Sequence, residues 1–203
     1  MNIDDLGIGP TSVSLLLDEN TSSSKNPFTG GSRITRMPGA KWTLTANWSK
    51  LQPAEGNFLD AYIASTQGGA ALQRVRDLSY THPQGVRTGS VVTVGAAVDG
   101  NSLSTSGWTA GVTKQLAVGD RFSFIDPVSG LEHLYVISVQ ANSDGSGNAT
   151  LQFYPELRIL PPAGTAINIL APGFTTLGLK GKVSRSGMAV DGSLSWEEAI
   201  YAL

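Results

Sequence analysis

Apolar and polar residues alternate in short runs along this chain, and long helical periodicity is almost absent. Period-two alternation marks a strand with one buried face. Val13, Leu15 and Leu17 alternate with Ser14 and Leu16, which predicts a first strand. The stretch Asn20 to Gly31 is Asn, Thr, Ser, Lys, Pro and Gly; it cannot pack a core and is expected to be a long loop or arm. The clearest strand follows. Trp42, Leu44, Ala46 and Trp48 share one face, and Lys41, Thr43, Thr45, Asn47 and Ser49 the other. A helix is predicted over about 53–67. Pro53 suits its first position, Glu55 its first turn, and Phe58, Leu59, Tyr62 and Ile63 form one stripe. Gly68-Gly69 ends it. The stripe is expected to pack on the Trp42/Trp48 face. A moderately polar strand, Leu72 to Tyr80, comes next.

Thr81-His82-Pro83-Gln84-Gly85 breaks the pattern and predicts a junction. From about Arg87 to Leu170 the chain reads as β throughout. Strands are expected at Ser90–Val98, Phe122–Ile125, Leu134–Val139, Thr150–Tyr154 and Ala166–Leu170, between turns such as Asp99-Gly100 and Asn142 to Asn148. That many short strands suggest a small barrel. Ala171-Pro172-Gly173 marks a second junction. Two last strands are expected, Leu177–Val190 and Ser193–Ala202, with Asp191-Gly192 as the hairpin turn. Two strands alone are marginal, so they should return to the first unit's sheet. The expected fold is mainly β with one short α-helix. A split β-sandwich or barrel, 1–84 plus 172–203, would carry an inserted small β-barrel, 85–171.

Composition narrows the function. Of 203 residues, 15% are charged against roughly 25% in average soluble proteins, and the net charge is −2, which argues against strong DNA binding. There is no cysteine, which excludes disulfides, thiolate-bound metals and a thiol nucleophile. No apolar run reaches the about 18 residues of a membrane span. Met1-Asn2-Ile3-Asp4-Asp5 is acidic where a secretion signal needs positive charge, so use or assembly in the cytosol is expected.

The catalytic inventory is thin. His82 and His133 lie far apart, and GxSxG, HExxH and phosphate-loop motifs do not occur. Asn142, Asp144 and Ser146 have partly cation-loop spacing, but the glycine is misplaced and no glutamate closes the loop, so a plain turn is expected. Glu197 and Glu198 are adjacent in a strand and should point to opposite faces. Arg33 and Arg36, Arg74 and Arg76, and Lys180, Lys182 and Arg185 form weak basic clusters, read as solvated faces. Trp108 reads as a core residue at a barrel end rather than an exposed contact. The expectation is a structural or interaction protein, not an enzyme, with no catalytic, cofactor or metal residues.

Certain stretches carry a resemblance. They are Arg36-Met37-Pro38-Gly39-Ala40-Lys41-Trp42, Trp48-Ser49-Lys50-Leu51-Gln52-Pro53-Ala54-Glu55 and the short helix, then Gly107-Trp108, Leu116 to Phe122, Leu134-Tyr135-Val136, Ala141 to Leu151, and Pro155 to Arg158 followed by Pro161-Pro162-Ala163-Gly164. Over about residues 36 to 172 the chain resembles siphophage distal tail proteins and related gene-transfer-agent proteins. The resemblance implies a virion protein at the distal end of a long non-contractile tail. There a homo-hexameric ring would join the tail tube protein to the threefold baseplate hub protein. The tape-measure protein or tail fibres would be further partners. DNA would pass through a neutral to acidic lumen without specific binding, and no membrane insertion is implied. Residues 1–84 with 172–203 would form the ring, and 85–171 would project. The arm tip Asn26, Pro27 and Phe28, and Ser195, Trp196 and Glu197 of the last strand, are the expected interface residues. The latter strand is expected at a sheet edge. Two alternatives stand beside this: another tail component (tube or tail-completion protein), or a carbohydrate-binding module of the tail tip.

Overall fold

The computed structural model describes residues 3–37, 39–80, 82–93, 100–187 and 189–200. Strands β1 (Ser12–Asp18), β2 (Thr21–Lys25), β3 (Ser32–Arg36) and β4 (Lys41–Leu51) precede helix α1 (Pro53–Ser65) and β5 (Gln73–Arg76). Then come β6 (Gly89–Thr93), β7 (Ser102–Trp108), β8 (Arg121–Ile125), β9 (Glu132–Val139), β10 (Asn148–Tyr154) and β11 (Ile167–Asn168). The last strands are β12 (Gly173–Ser186) and β13 (Ala189–Glu198).

They form two curled half-barrel sheets and one hairpin, a mainly β fold with one short α-helix. The first sheet has the order β1-β4-β13-β12-β5. The second, β11-β8-β9-β10-β7-β6, comes wholly from the stretch between β5 and β12. Every strand pairing among the described residues is antiparallel, and the pairs of consecutive strands are joined as hairpins allow. The two final strands do return to the first sheet, but β13 lies in its middle, between β4 and β12. The expected edge position of the last strand is therefore corrected: an apolar strand alternating Val190, Leu194 and Trp196 gains most from neighbours on both sides.

The first core is built on that alternation. Trp42, Leu44 and Trp48 of β4, Leu194 and Trp196 of β13, and Leu59 and Tyr62 of α1 belong to one buried cluster. Trp196 meets both Trp48 and Tyr62 edge-on, with ring centres 6.5 Å apart in each case. Such pairs add about 0.5–1.5 kcal/mol beyond their area. The Gln52 N–H donates to the Glu55 carboxylate at 2.7 Å and fixes the helix start. The helix sits on the expected face of the sheet but over β12 and β13 rather than over the β4 tryptophans. It can do so because Gly181 and Gly192 leave room: a Cβ at Gly192 would lie 2.4 Å from Leu59 Cδ1.

That contact explains a misread signal. Asp191-Gly192 is not the hairpin turn; the chain reverses at Gly187, whose φ is +60°. Asp191 instead accepts from the Lys50 N–H at 3.1 Å, across an irregularity in the β4–β13 register. The polar Leu72–Tyr80 strand shortens to β5 and an Asp77–Tyr80 turn. In the second sheet, Phe122, Tyr135 and Phe153 pack with ring centres 5.1–5.3 Å apart. Strand β7 was not expected, because Ser102 to Gly107 is mostly small and polar. Trp108 is buried, as expected, and its indole N–H donates to Thr105 Oγ1 at 2.8 Å. The predicted strand end 94–98 and the turn residue Asp99 lie outside the described residues.

The two glycine roles are separable. Gly192→Ala is expected to lower stability by about 1–3 kcal/mol through overpacking against buried Leu59. Gly187→Asn, at a position where asparagine accepts positive φ, is expected to cost less than about 1 kcal/mol. Urea midpoints of the two variants check this.

Candidate assembly interface

Strands β1 and β4 pair from Ser12↔Asn47 to Asp18↔Lys41, and β2 and β3 continue the same ribbon from Thr21↔Arg36 to Lys25↔Ser32. The distal half leaves the sheet. Every residue from Asp18 to Thr35 is exposed. The arm is therefore an ordered hairpin and not a loop. Its tip is closed by Asn26, whose side-chain oxygen accepts from Phe28 N at 2.8 Å and whose backbone bonds Gly30 and Gly31. Such an Asx turn needs no apolar contact. Phe28 is 97% exposed and Ile34 72%. Single exposed apolar side chains are common on protein surfaces; here the hairpin ladder and the Asn26 turn order the backbone that carries them.

Two neighbouring rows on the outward face of the first sheet carry no charge on β1, β4 and β13. Across β1, β4, β13 and β12 the rows read Ser14–Thr45–Ser195–Lys180 and Ser12–Asn47–Ser193–Lys182. Thr45 and Ser195 hydroxyls lie 3.2 Å apart, and Asn47 Nδ2 donates to Ser12 Oγ at 3.1 Å. Lys41 is paired with Glu197, which holds its ammonium pKa above the ordinary value. Within those two rows hydroxyls and amides bond across the strands. Charged side chains of this face lie at their β12 ends, on Lys180 and Lys182, on Glu197 one row further along, and on Asp18 and Lys41 one row beyond that.

Behind that face lies a buried ionic junction between the sheets. Glu198, fully buried, accepts from Trp42 N at 3.0 Å and from Arg158 Nη2 at 2.6 Å, and lies 3.2 Å from His133 Nδ1. Arg158 also donates to Ala40 O at 2.6 Å, and Trp42 Nε1 to Leu134 O at 2.8 Å. Arg74 pairs with Glu132, and Arg121 with Asp77. Asp120 takes bonds from Tyr80 OH (2.9 Å) and from the N–H groups of Gln84, Gly85 and Ala117 (2.7–2.9 Å). Burial alone would raise the Asp120 carboxyl; those donors outweigh it and hold it below its ordinary value. Burial, then the bond to Asp120, pushes Tyr80 up to about 12.

The expected interface residues separate. Asn26, Pro27 and Phe28 are together and exposed at the arm tip. Ser195 and Glu197 are on the outward face, while Trp196 is 0% exposed and hydrogen-bonds Tyr62 OH at 3.2 Å. Trp196 is corrected to a core residue: its indole is worth more inside the sheet than at a contact. Glu197 and Glu198 do point to opposite faces. His133 is a buried structural partner of Glu198, and His82 is exposed. The Asn142–Asn148 stretch is a turn in which Asp144 accepts from the Ser146 and Asn148 N–H groups, each at 2.8 Å. Ile34, Leu16 and the ionic junction were missed. The first two look like ordinary strand residues, and the junction joins positions 40 to 156 apart.

Comparison with models of known protein families gives no match, and no curated protein matches the chain. Among the described residues no group of three or more His, Asp or Glu side chains is placed to hold a metal ion.

Two measurements check the junction. Glu198→Gln removes the buried partner of Arg158 and is expected to cost about 3–5 kcal/mol in chemical unfolding. Asp120 has a folded pKa below its unfolded one, so its contribution is full above about pH 4 and is lost as the pH falls further. Asp120→Asn should lower stability at pH 7 and flatten that acid-side decline in a pH series of unfolding curves.

Proposed function

We propose that this chain is a structural subunit of a ring in a long non-contractile phage tail, a distal tail protein. The observation that carries the reading is the outward face of the first sheet. A conduit for DNA has to be polar enough to stay wetted and poor enough in positive charge not to retain phosphates. The hydroxyl and amide rows across β1, β4 and β13 meet both requirements, with Lys180 and Lys182 confined to its β12 side. The buried junction supports the same role, because a ring that transmits force needs its two sheets fixed to one another. Ring closure would come from a heterologous contact, one surface of each copy meeting a different surface of the next. The tail tube protein would lie on one side of the ring and the baseplate hub protein on the other, with the second sheet projecting.

Native mass spectrometry of the purified chain, alone and with candidate tail proteins, tests this. The expected species is a closed hexamer of about 127 kDa, six copies of 21.2 kDa, formed alone or on a partner. Electron microscopy should then place the Thr45/Ser195 face toward the lumen. Stacked repeated rings would favour a tube protein instead. A monomer indifferent to every tail protein would overturn the reading.

A further inference from the structure

The arm has a partner surface that the rest of the chain itself supplies. Residues 20–40 contain Lys25, Arg33 and Arg36 and no acidic residue, so the remaining eleven basic side chains face sixteen acidic ones. On one face of the hairpin Ile34 sits opposite Ser23, with Lys25 one step nearer the tip and Phe28 beyond it. Read outward, the arm is apolar, then cationic, then apolar. The outer edge of β1 pairs with no strand among the described residues. There Leu16 is 65% exposed, and Asp18 lies one step along on the same face. Beyond Asp18 an open recess of about 550 Å³ is lined by Glu19, Asn20, Gly39 and Ile200, among others. That corner carries Asp18, Glu19 and Glu197, with Lys41 beside them. Read in the same direction, it is apolar, then acidic, then a recess. The first step on each surface, from the Ile34 row to the Lys25 row and from Leu16 to Asp18, is two strand residues, about 6–7 Å.

We propose that the arm of one copy docks along the β1 edge of a second copy of this chain, Ile34 on Leu16, Lys25 at Asp18, and Phe28 in the recess. The contact rests on the ring reading and names its subunit joint. An unpaired strand edge offers N–H and C=O groups that a hairpin strand can take up. The five-residue β3 fits within the seven-residue β1. The joint is heterologous, arm to edge, and so propagates from copy to copy until it closes. Its charge complementarity opposes the reverse pairings, arm to arm or edge to edge.

The chain has no cysteine, so introduced thiols report alone. Full-length Ile34→Cys and Leu16→Cys variants, both at exposed positions, are mixed, oxidised and analysed by non-reducing electrophoresis and peptide mass spectrometry. The expected main product is the 34–16 disulfide, with little 34–34 or 16–16. In sedimentation, Lys25→Glu should weaken assembly about fivefold, and adding Asp18→Lys should restore it. A hexamer that yields no 34–16 product overturns this docking and leaves the ring standing. The 34–16 product in an open or non-hexameric chain upholds the docking and overturns the ring. A protein monomeric at every concentration, with no 34–16 product, overturns both.

Discussion

The structure depends on Glu198. It is a carboxylate with no access to water, at the end of the strand that runs through the middle of the first sheet. An unpaired buried charge is very costly, so its neighbours must assemble around it: the Trp42 N–H from β4, Arg158 from the segment after β10, and His133 from β9. Those groups belong to both sheets. The position of the second sheet is thereby tied to the last strand of the first. Packing alone would allow the sheets to slide, since apolar contact is not directional. Hydrogen bonds to a charged group have defined geometry, and Arg74–Glu132 and Arg121–Asp77 repeat the device along the same seam.

Much of the fold was legible because it rests on local pattern. The Trp42–Trp48 alternation, the capped helix and the return of the tail to the first sheet all follow from which side chains need burial. Where the reading failed, a residue served a purpose that the local pattern does not express. Asp191-Gly192 looks like a turn, yet the glycine admits Leu59 and the aspartate caps an irregular backbone pairing. Strand β7 carries too few apolar groups to announce itself, and is held by pairing with β6 and β10. The arm was read as a loop because its residues bury nothing. Its order comes from the ladder it continues, begun by β1 and β4, and from the Asn26 tip. The ionic seam was invisible, because burial and partner are properties of the fold and not of a residue type.

The candidate interface divides along the same line. Asn26, Pro27 and Phe28 were placed outside the core by composition alone, since polar turn residues around one aromatic cannot form a core. Trp196 was misplaced because the edge position of its strand was assumed from its place near the chain end. Ser195 and Glu197 came from the same assumption and landed on the outward face for a different reason, the two-residue period of a central strand.

Rigidity and reach are therefore built from the same ribbon. Strands β1 and β4 hold one half of it in a sheet whose inner face is pinned by tryptophans and by Glu198. The other half, about 25 Å from Thr21 to the Phe28 tip if extended, is cantilevered from that pinned half. A flexible arm would lose conformational entropy on docking; a hairpin already closed by its own backbone bonds loses less. In the docking proposed above, the stiffness of the seam bears on assembly as well as on folding. Loosening Glu198 would move the root of the arm relative to the Asp18 edge of the proposed neighbour, and weaken a contact to which Glu198 contributes no atom.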